Sequence, residues 1–309
     1  MNNTELVAQI ERLKKEKNAI IMAHYYTRPE VQDIADFVGD SLALAQVAAK
    51  TDADIILFAG VNFMAETAKV LCPQKKVLIP APEASCSLAD SCPAEEFEKF
   101  VKQYPDHIVV SYVNTSVGVK AVTDIVCTSS NAVKVINSIP EDKPIIFGPD
   151  RNLGNYINTV TGRNMKVWDG CCHVHEKFSV ERIMELKKEN PEAKVVAHPE
   201  CKKSVLNLAD FVGSTAAILD YVKKDEAKEF IVATEVGILH KMQEECGEKR
   251  FIPAPPEDDK CGCNNCDYMK MVTLENIFET LKNEAPEIIL DEKIIERAKL
   301  PIVRMLEIF

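Results

Sequence analysis

Three cysteines offer the most chemistry in this chain, because Cys86, Cys172 and Cys266 each close one of three similar stretches of sequence. Three thiolates meeting at a point suit a [4Fe–4S] cluster with one iron left open, or a three-cysteine zinc site. An iron without a protein ligand can act as a Lewis acid on a carbonyl or hydroxyl oxygen, whereas four cysteines close a cluster and suit it to electron transfer. The plain alternative is that these are small buried apolar residues, as single cysteines often are. A competing metal candidate is local: Cys261-Gly262-Cys263-Asn264-Asn265-Cys266. The C-x-x-C within it is a zinc or redox signal, with Cys246 as a possible fourth ligand. Cys72, Cys92, Cys127, Cys201 and Cys246 read as structural.

Polar residues gather at two further points of the same repeat. Ile21 to Tyr26, Val109 to Asn114 and Val195 to Glu200 align as apolar runs ending in a polar pair. The pairs are His24 and Tyr26, Tyr112 and Asn114, His198 and Glu200. Residues two apart on a strand share a face, so each pair points the same way. In open α/β sheets that strand end is where ligands bind. His, Tyr and Glu together could move protons, although any one of them alone would more often be a satisfied structural hydrogen bond. A little further on stand Ser41, Ser129 and Thr215, each just before a helical run. As N-caps they would contribute about 1 kcal/mol each and nothing more. Three helix N-termini converging on one cavity would instead bind several carboxylates or phosphates.

The elements that must position these residues are legible from periodicity. Asp36, Asp124 and Asp210 fall at nearly equal intervals, inside the aligned segments 35–41, 123–129 and 209–215. In the first copy the apolar runs 19–23, 54–59 and 76–79 read as buried strands. Residues 30–38, the run after Ser41, and 62–71 read as helices. The later copies repeat this order, with strands at 108–111 and 144–147, then at 195–197 and 229–233. Strands alternating with helices predict an α/β fold. The architecture expected is three pseudo-threefold-related parallel-sheet domains around a central site. Their bounds fall at 1–92, 93–178 and 179–271, with 272–309 as helices packed on the body.

Composition narrows the function classes. The chain has 309 residues, is 46% hydrophobic and 28% charged, and carries a net charge of −11. An acidic chain without a basic stripe argues against nucleic-acid binding. Any anionic substrate must then be held by local dipoles. No apolar run approaches the roughly 18 residues that span a membrane, and residues 1–18 read as an amphipathic helix, not a signal peptide. The expectation is a cytoplasmic protein, in which 11 cysteines favour metal or redox use over disulfides.

With these residues assembled, the chain resembles the quinolinate synthase family over essentially its full length. The matching motifs are Ala23-His24-Tyr25-Tyr26, Gly39-Asp40-Ser41, Ala84-Ser85-Cys86-Ser87, Tyr112-Val113-Asn114-Thr115, Cys127-Thr128-Ser129-Ser130-Asn131, Gly170 to Glu176, His198-Pro199-Glu200-Cys201 and Cys266-Asp267-Tyr268-Met269. The resemblance implies condensation of iminoaspartate with dihydroxyacetone phosphate to quinolinate, with loss of phosphate and water, in NAD biosynthesis. It implies a [4Fe–4S] cluster on Cys86, Cys172 and Cys266. The family pattern Gly-x-Cys-x-x-His selects Cys172 over Cys171 and His175 over His173. It also implies Tyr26, Glu200, His198 and Tyr112 as catalytic residues, and His24, Ser41, Asn114, Ser129, His175 and Thr215 as substrate-binding ones. Functional contact with the enzyme that supplies iminoaspartate follows as well. One departure stands out: many members carry C-x-x-C-x-x-C near the C-terminus, whereas Cys261 and Cys263 here are separated by a single residue. Readings of a different class are a non-enzymatic zinc or redox protein built on residues 261–266, and a phosphosugar-binding module without catalysis.

Overall fold

Among the described residues twelve short segments form strands, and all of them pair in parallel within their sheets. The computed structural model describes residues 2–258 and 264–308. The first sheet holds β1 (Ala19–His24), β2 (Phe37–Gly39), β3 (Ile55–Ala59) and β4 (Lys76–Leu78). The second holds β5 (Ile108–Tyr112), β6 (Ile125–Cys127), β7 (Ile145–Gly148) and β8 (Lys166–Val167). The third holds β9 (Lys194–Ala197), β10 (Phe211–Val212), β11 (Glu229–Ala233) and β12 (Arg250–Pro253). The spatial orders are β2-β1-β3-β4, β6-β5-β7-β8 and β10-β9-β11-β12, one topology used three times. Helices between the strands make each unit a parallel α/β layer, as alternating periodicities require. β3 is buried at every residue, which is why it reads as a continuous apolar run with no alternation.

The repeated aspartates explain why the copies stay aligned. Each joins the first strand of its sheet to the edge strand through one residue. Ile21 N–H donates to Asp36 Oδ2 at 2.7 Å, and Asp36 N–H donates back to the Ile21 carbonyl at 2.9 Å. Val109 and Asp124 make the same exchange at 2.8 and 2.9 Å, and Val195 and Asp210 at 2.8 Å in both directions. A carboxylate here completes the hydrogen bonding of a strand end that the short edge strand does not reach.

The helix read over 30–38 ends early. It runs Pro29–Ile34, and residues 37–39 form β2. Pairing with β1 through Met22–Phe37, Ala23–Val38 and His24–Gly39 overrides the local helical pattern. The tail is helical as expected. Leu274–Asn283 packs on the N-terminal helix Asn3–Glu16, and Glu292–Glu307 packs on β6 and the helices Asn62–Leu71 and Val117–Lys120. Asn131 Nδ2 donates to the carbonyls of Met305 and Ile308 at 2.9 and 2.7 Å. One continuous core therefore runs through the first two sheets and the C-terminal helices, whereas the third sheet has a separate apolar cluster on each side. Among the described residues no helix is long and apolar enough to cross a membrane.

Candidate functional site

The C-terminal strand ends of all three sheets open on one cavity. Its wall includes Cys86, Cys172 and Cys266, the pairs His24 and Tyr26, Tyr112 and Asn114, His198 and Glu200, then Ser41, Ser129 and Thr215, and finally His175. The three cysteines, the strand-end pairs, Ser41, Ser129, Thr215 and His175 thus reach a single chamber, although they come from distant parts of the chain.

The three cysteines share a local structure that the sequence did not disclose. Each is the residue just ahead of a one-turn helix: Cys86 before Ser87–Asp90, Cys172 before His173–Glu176, Cys266 before Asp267–Lys270. None is in a disulfide. Burial pushes the Cys86 thiol up to about 12 and Cys266 to about 11, and raises Cys172 well above its ordinary value. Amide groups of the following turn oppose the rise at each of them, and the other thiols add to it at Cys86 and Cys172. Three thiols in the wall of one buried chamber cannot all ionise without a compensating positive centre. That donor set therefore fits a cationic inorganic centre. Cys171 is not part of the cavity wall. Cys72 and Cys201 donate their S–H groups to the carbonyls of Ala48 and Ala233, as structural cysteines do. Cys261 and Cys263 lie outside the described residues.

A second donor set overlaps the first. Ligand atoms of Cys172, His175 and Glu200 lie within 4.8 Å of one another. His175 Nδ1 comes within 3.0 Å of Glu200 Oε2 yet has no aligned hydrogen-bond partner, while its Nε2 meets Thr234 Oγ1 at 2.9 Å.

Around these ligands lies a closed hydrogen-bond network. Tyr112 donates its hydroxyl to Glu200 Oε1 at 2.6 Å. Burial drives the Glu200 carboxyl up, but His175, His198 and the Tyr112 hydroxyl together hold it below the usual carboxylate value. Burial keeps His198 and His24 neutral, each lowered to about 3. His198 Nε2 meets Ser129 Oγ at 3.1 Å. The Tyr26 hydroxyl sits between Thr215 Oγ1 and Thr234 Oγ1, 2.7 Å from each. Burial raises both tyrosines well above their ordinary value, so they stay protonated.

The caps are displaced from their expected positions. Asp40 and Ser214 cap the helices Ser41–Lys50 and Thr215–Lys224, accepting from Ala43 and Ala217 N–H. Ser41 and Thr215 are first-turn residues, and Ser129 stands in the turn ahead of Ala132–Ser138. Freed from capping, the three hydroxyls can face the cavity. Ser130 Oγ then joins the two caps, 2.6 Å from Asp40 Oδ2 and 2.8 Å from Ser214 Oγ. Sequence reasoning missed Asp40, Ser130 and Ser214, and also Thr234, Glu235 and Asp150. Thr234 and Glu235 directly follow β11, a strand-end position of the kind already searched in β1, β5 and β9.

Fold and site define a class: three-sheet α/β proteins with one buried, thiol-lined central chamber flanked by acid–base side chains. The particular family follows from comparison. Residues 8–307 match the family model described as Quinolinate synthetase A protein. The chain is 56% identical to the quinolinate synthase of Microcystis aeruginosa over 303 residues, 98% of this chain and 95% of the relative. It is 57% identical to that of Gloeothece citriformis, with 98% and 94% covered. It is 54% identical over 302 residues to that of Synechocystis sp., with 98% and 95% covered. The chain belongs to the quinolinate synthase family.

Proposed function

We propose that this protein condenses iminoaspartate with dihydroxyacetone phosphate to quinolinate, releasing phosphate and water, as a step of NAD biosynthesis. The single observation that carries this reading is the convergence of three thiols, one from each unit, on the chamber that also holds Glu200, Tyr112, Tyr26 and His198. Cys86, Cys172 and Cys266 would hold a [4Fe–4S] cluster. Such a cluster with three protein ligands supplies a Lewis-acidic iron that favours loss of a hydroxyl group.

The chain's own residues account for the rest. The substrates bring two carboxylates and a phosphate into an acidic protein. First-turn amides of the helices Ser41–Lys50 and Thr215–Lys224 give local positive potential, and Ser41, Ser129 and Thr215 add hydroxyl donors. Asn114 and the neutral His24 orient the polar groups between them. Converting a ketose to an aldose and eliminating water both require a base near a carbon-bound proton. Glu200 suits that role, because it is held ionised in the chamber wall and aimed by the Tyr112 hydroxyl. Tyr26, protonated and fixed by two threonines, can donate to a departing or developing oxygen. His198, neutral and in contact with Ser129, can accept or relay a proton. The apolar wall of Val61, Phe63 and Met64 excludes water from these steps.

On this reading the protein works in the cytoplasm, in functional contact with the enzyme that supplies iminoaspartate. Anaerobic purification tests the reading. About four irons with matching sulfide, and quinolinate formed from the two substrates, are expected. One zinc per chain without quinolinate formation would overturn it. That result would favour the second reading, a single divalent ion on Cys172, His175 and Glu200, whose donor atoms already lie close enough for one.

A further inference from the structure

Two residues past the end of the third strand of each unit stand Val61, Asp150 and Glu235, following β3, β7 and β11. All three are buried, at 2%, 0% and 1% exposure. In two units the position carries a carboxylate, and each carboxylate accepts the backbone N–H of its own unit's cavity cysteine. Cys172 N–H donates to Asp150 Oδ2 at 2.9 Å. Cys266 N–H donates to Glu235 Oε1 at 3.0 Å. The remaining bonds show why a carboxylate is needed at both places. Asp150 Oδ1 accepts from Asn152 and Leu153 N–H at 2.7 and 3.0 Å. Glu235 Oε2 accepts from Gly237 N–H at 2.6 Å, and Lys270 Nζ adds an ion pair to Oε1 at 2.9 Å. Both oxygens of each side chain face donors. An amide has only one acceptor, so its NH₂ would oppose an N–H.

The first unit solves the same problem differently. The Val61 side chain cannot accept a hydrogen bond. The loop before Cys86 bonds to itself and its neighbour instead, with Ala84 N–H on the Ala81 carbonyl at 2.9 Å and Asn62 N–H on the Ala84 carbonyl at 3.0 Å.

We propose that Asp150 and Glu235 are equivalent positioning residues, each holding one cavity cysteine by its backbone so that its sulfur is aimed at the inorganic centre. The inference rests on the reading that Cys86, Cys172 and Cys266 hold a cluster. Outer partners that orient a ligand commonly change metal retention by about 10- to 100-fold when removed.

Asp150→Asn and Glu235→Gln keep shape and remove one acceptor. The test compares each with wild type after anaerobic reconstitution, by iron and sulfide content, rate of iron release to excess chelator, electron paramagnetic resonance of the reduced cluster, and urea midpoint. Iron release about 10-fold faster or more is expected in both variants, with a changed resonance signal and a urea midpoint close to wild type. Release rates and signals equal to wild type's would overturn the inference. So would faster release that only follows a lowered urea midpoint, with the signal of the remaining cluster unchanged. If Asp150→Asn does not fold, because the same carboxylate starts the helix Arg151–Thr161, Glu235→Gln decides alone. Wild-type protein that binds no cluster overturns this inference and the functional reading together, whereas a cluster in wild type with unaltered variants sinks only this one.

Discussion

The Tyr112 hydroxyl lies 2.6 Å from Glu200 Oε1, across 88 residues of sequence and between two different sheets. A buried carboxylate receiving a hydroxyl hydrogen bond is held ionised and aimed. Tyr112→Phe removes that donor and leaves the ring in place. Turnover should fall about 10²-fold with iron content unchanged, and the acidic limb of the pH–rate profile should move to higher pH as the carboxyl becomes easier to protonate. Glu200→Gln should lose about 10²-fold or more and lose that limb altogether. Near-normal turnover in Glu200→Gln would move the base to His198.

Cluster ligation should require one cysteine from each unit. Cys86→Ala, Cys172→Ala and Cys266→Ala are each expected to lose iron and activity. Cys171→Ala and Cys261→Ala should keep iron, Cys171 because it is not in the cavity wall. Iron retained in Cys172→Ala and lost in Cys171→Ala would show the ligand assignment to be displaced by one residue.

The displaced caps separate stability from binding. Asp40→Ala and Ser214→Ala remove side chains that accept from Ala43 and Ala217 N–H, so each should cost about 1 kcal/mol in a denaturant titration. Ser129→Ala and Thr215→Ala remove no cap. Each should weaken substrate binding, read as a raised substrate KM, by more than it lowers stability in the same titration. A Thr215→Ala protein that is destabilised but binds substrate normally would make the hydroxyl structural, through its contact with Tyr26.

Stability of the cluster-free protein should depend on pH through His24 and His198. Both are buried neutral, with pKa values lowered from about 6.5 to about 3. Above pH 6.5 neither the folded nor the unfolded chain protonates them, and stability is at its full value. Between about 6.5 and 3 only the unfolded chain takes up the protons, so stability falls as the pH falls. Anaerobic urea titrations from pH 7.5 to pH 5 should show a decreasing midpoint. The double variant His24→Gln, His198→Gln should flatten that decrease. A midpoint that is constant over this range in wild type would mean that the two rings are charged in the fold.

The threefold plan was legible in the sequence because it rests on local patterns: apolar strand runs, helical runs, and an aspartate at one place in every copy. The same repeat brought out the polar strand-end pairs and the closing cysteines, since equivalent positions in like units face equivalent directions. Residues 37–39 escaped that reading because an edge strand this short is decided by its partner β1, not by its own pattern. Tertiary structure alone decided which groups meet. Tyr112 with Glu200, Tyr26 with Thr215 and Thr234, and Ser130 with Asp40 and Ser214 are contacts between units, and no local periodicity encodes how three units dock. Asp150 and Glu235 were hidden for a related reason. A carboxylate next to a strand end looks the same in sequence whether it faces solvent or the backbone of a cysteine, and only burial gives it one partner.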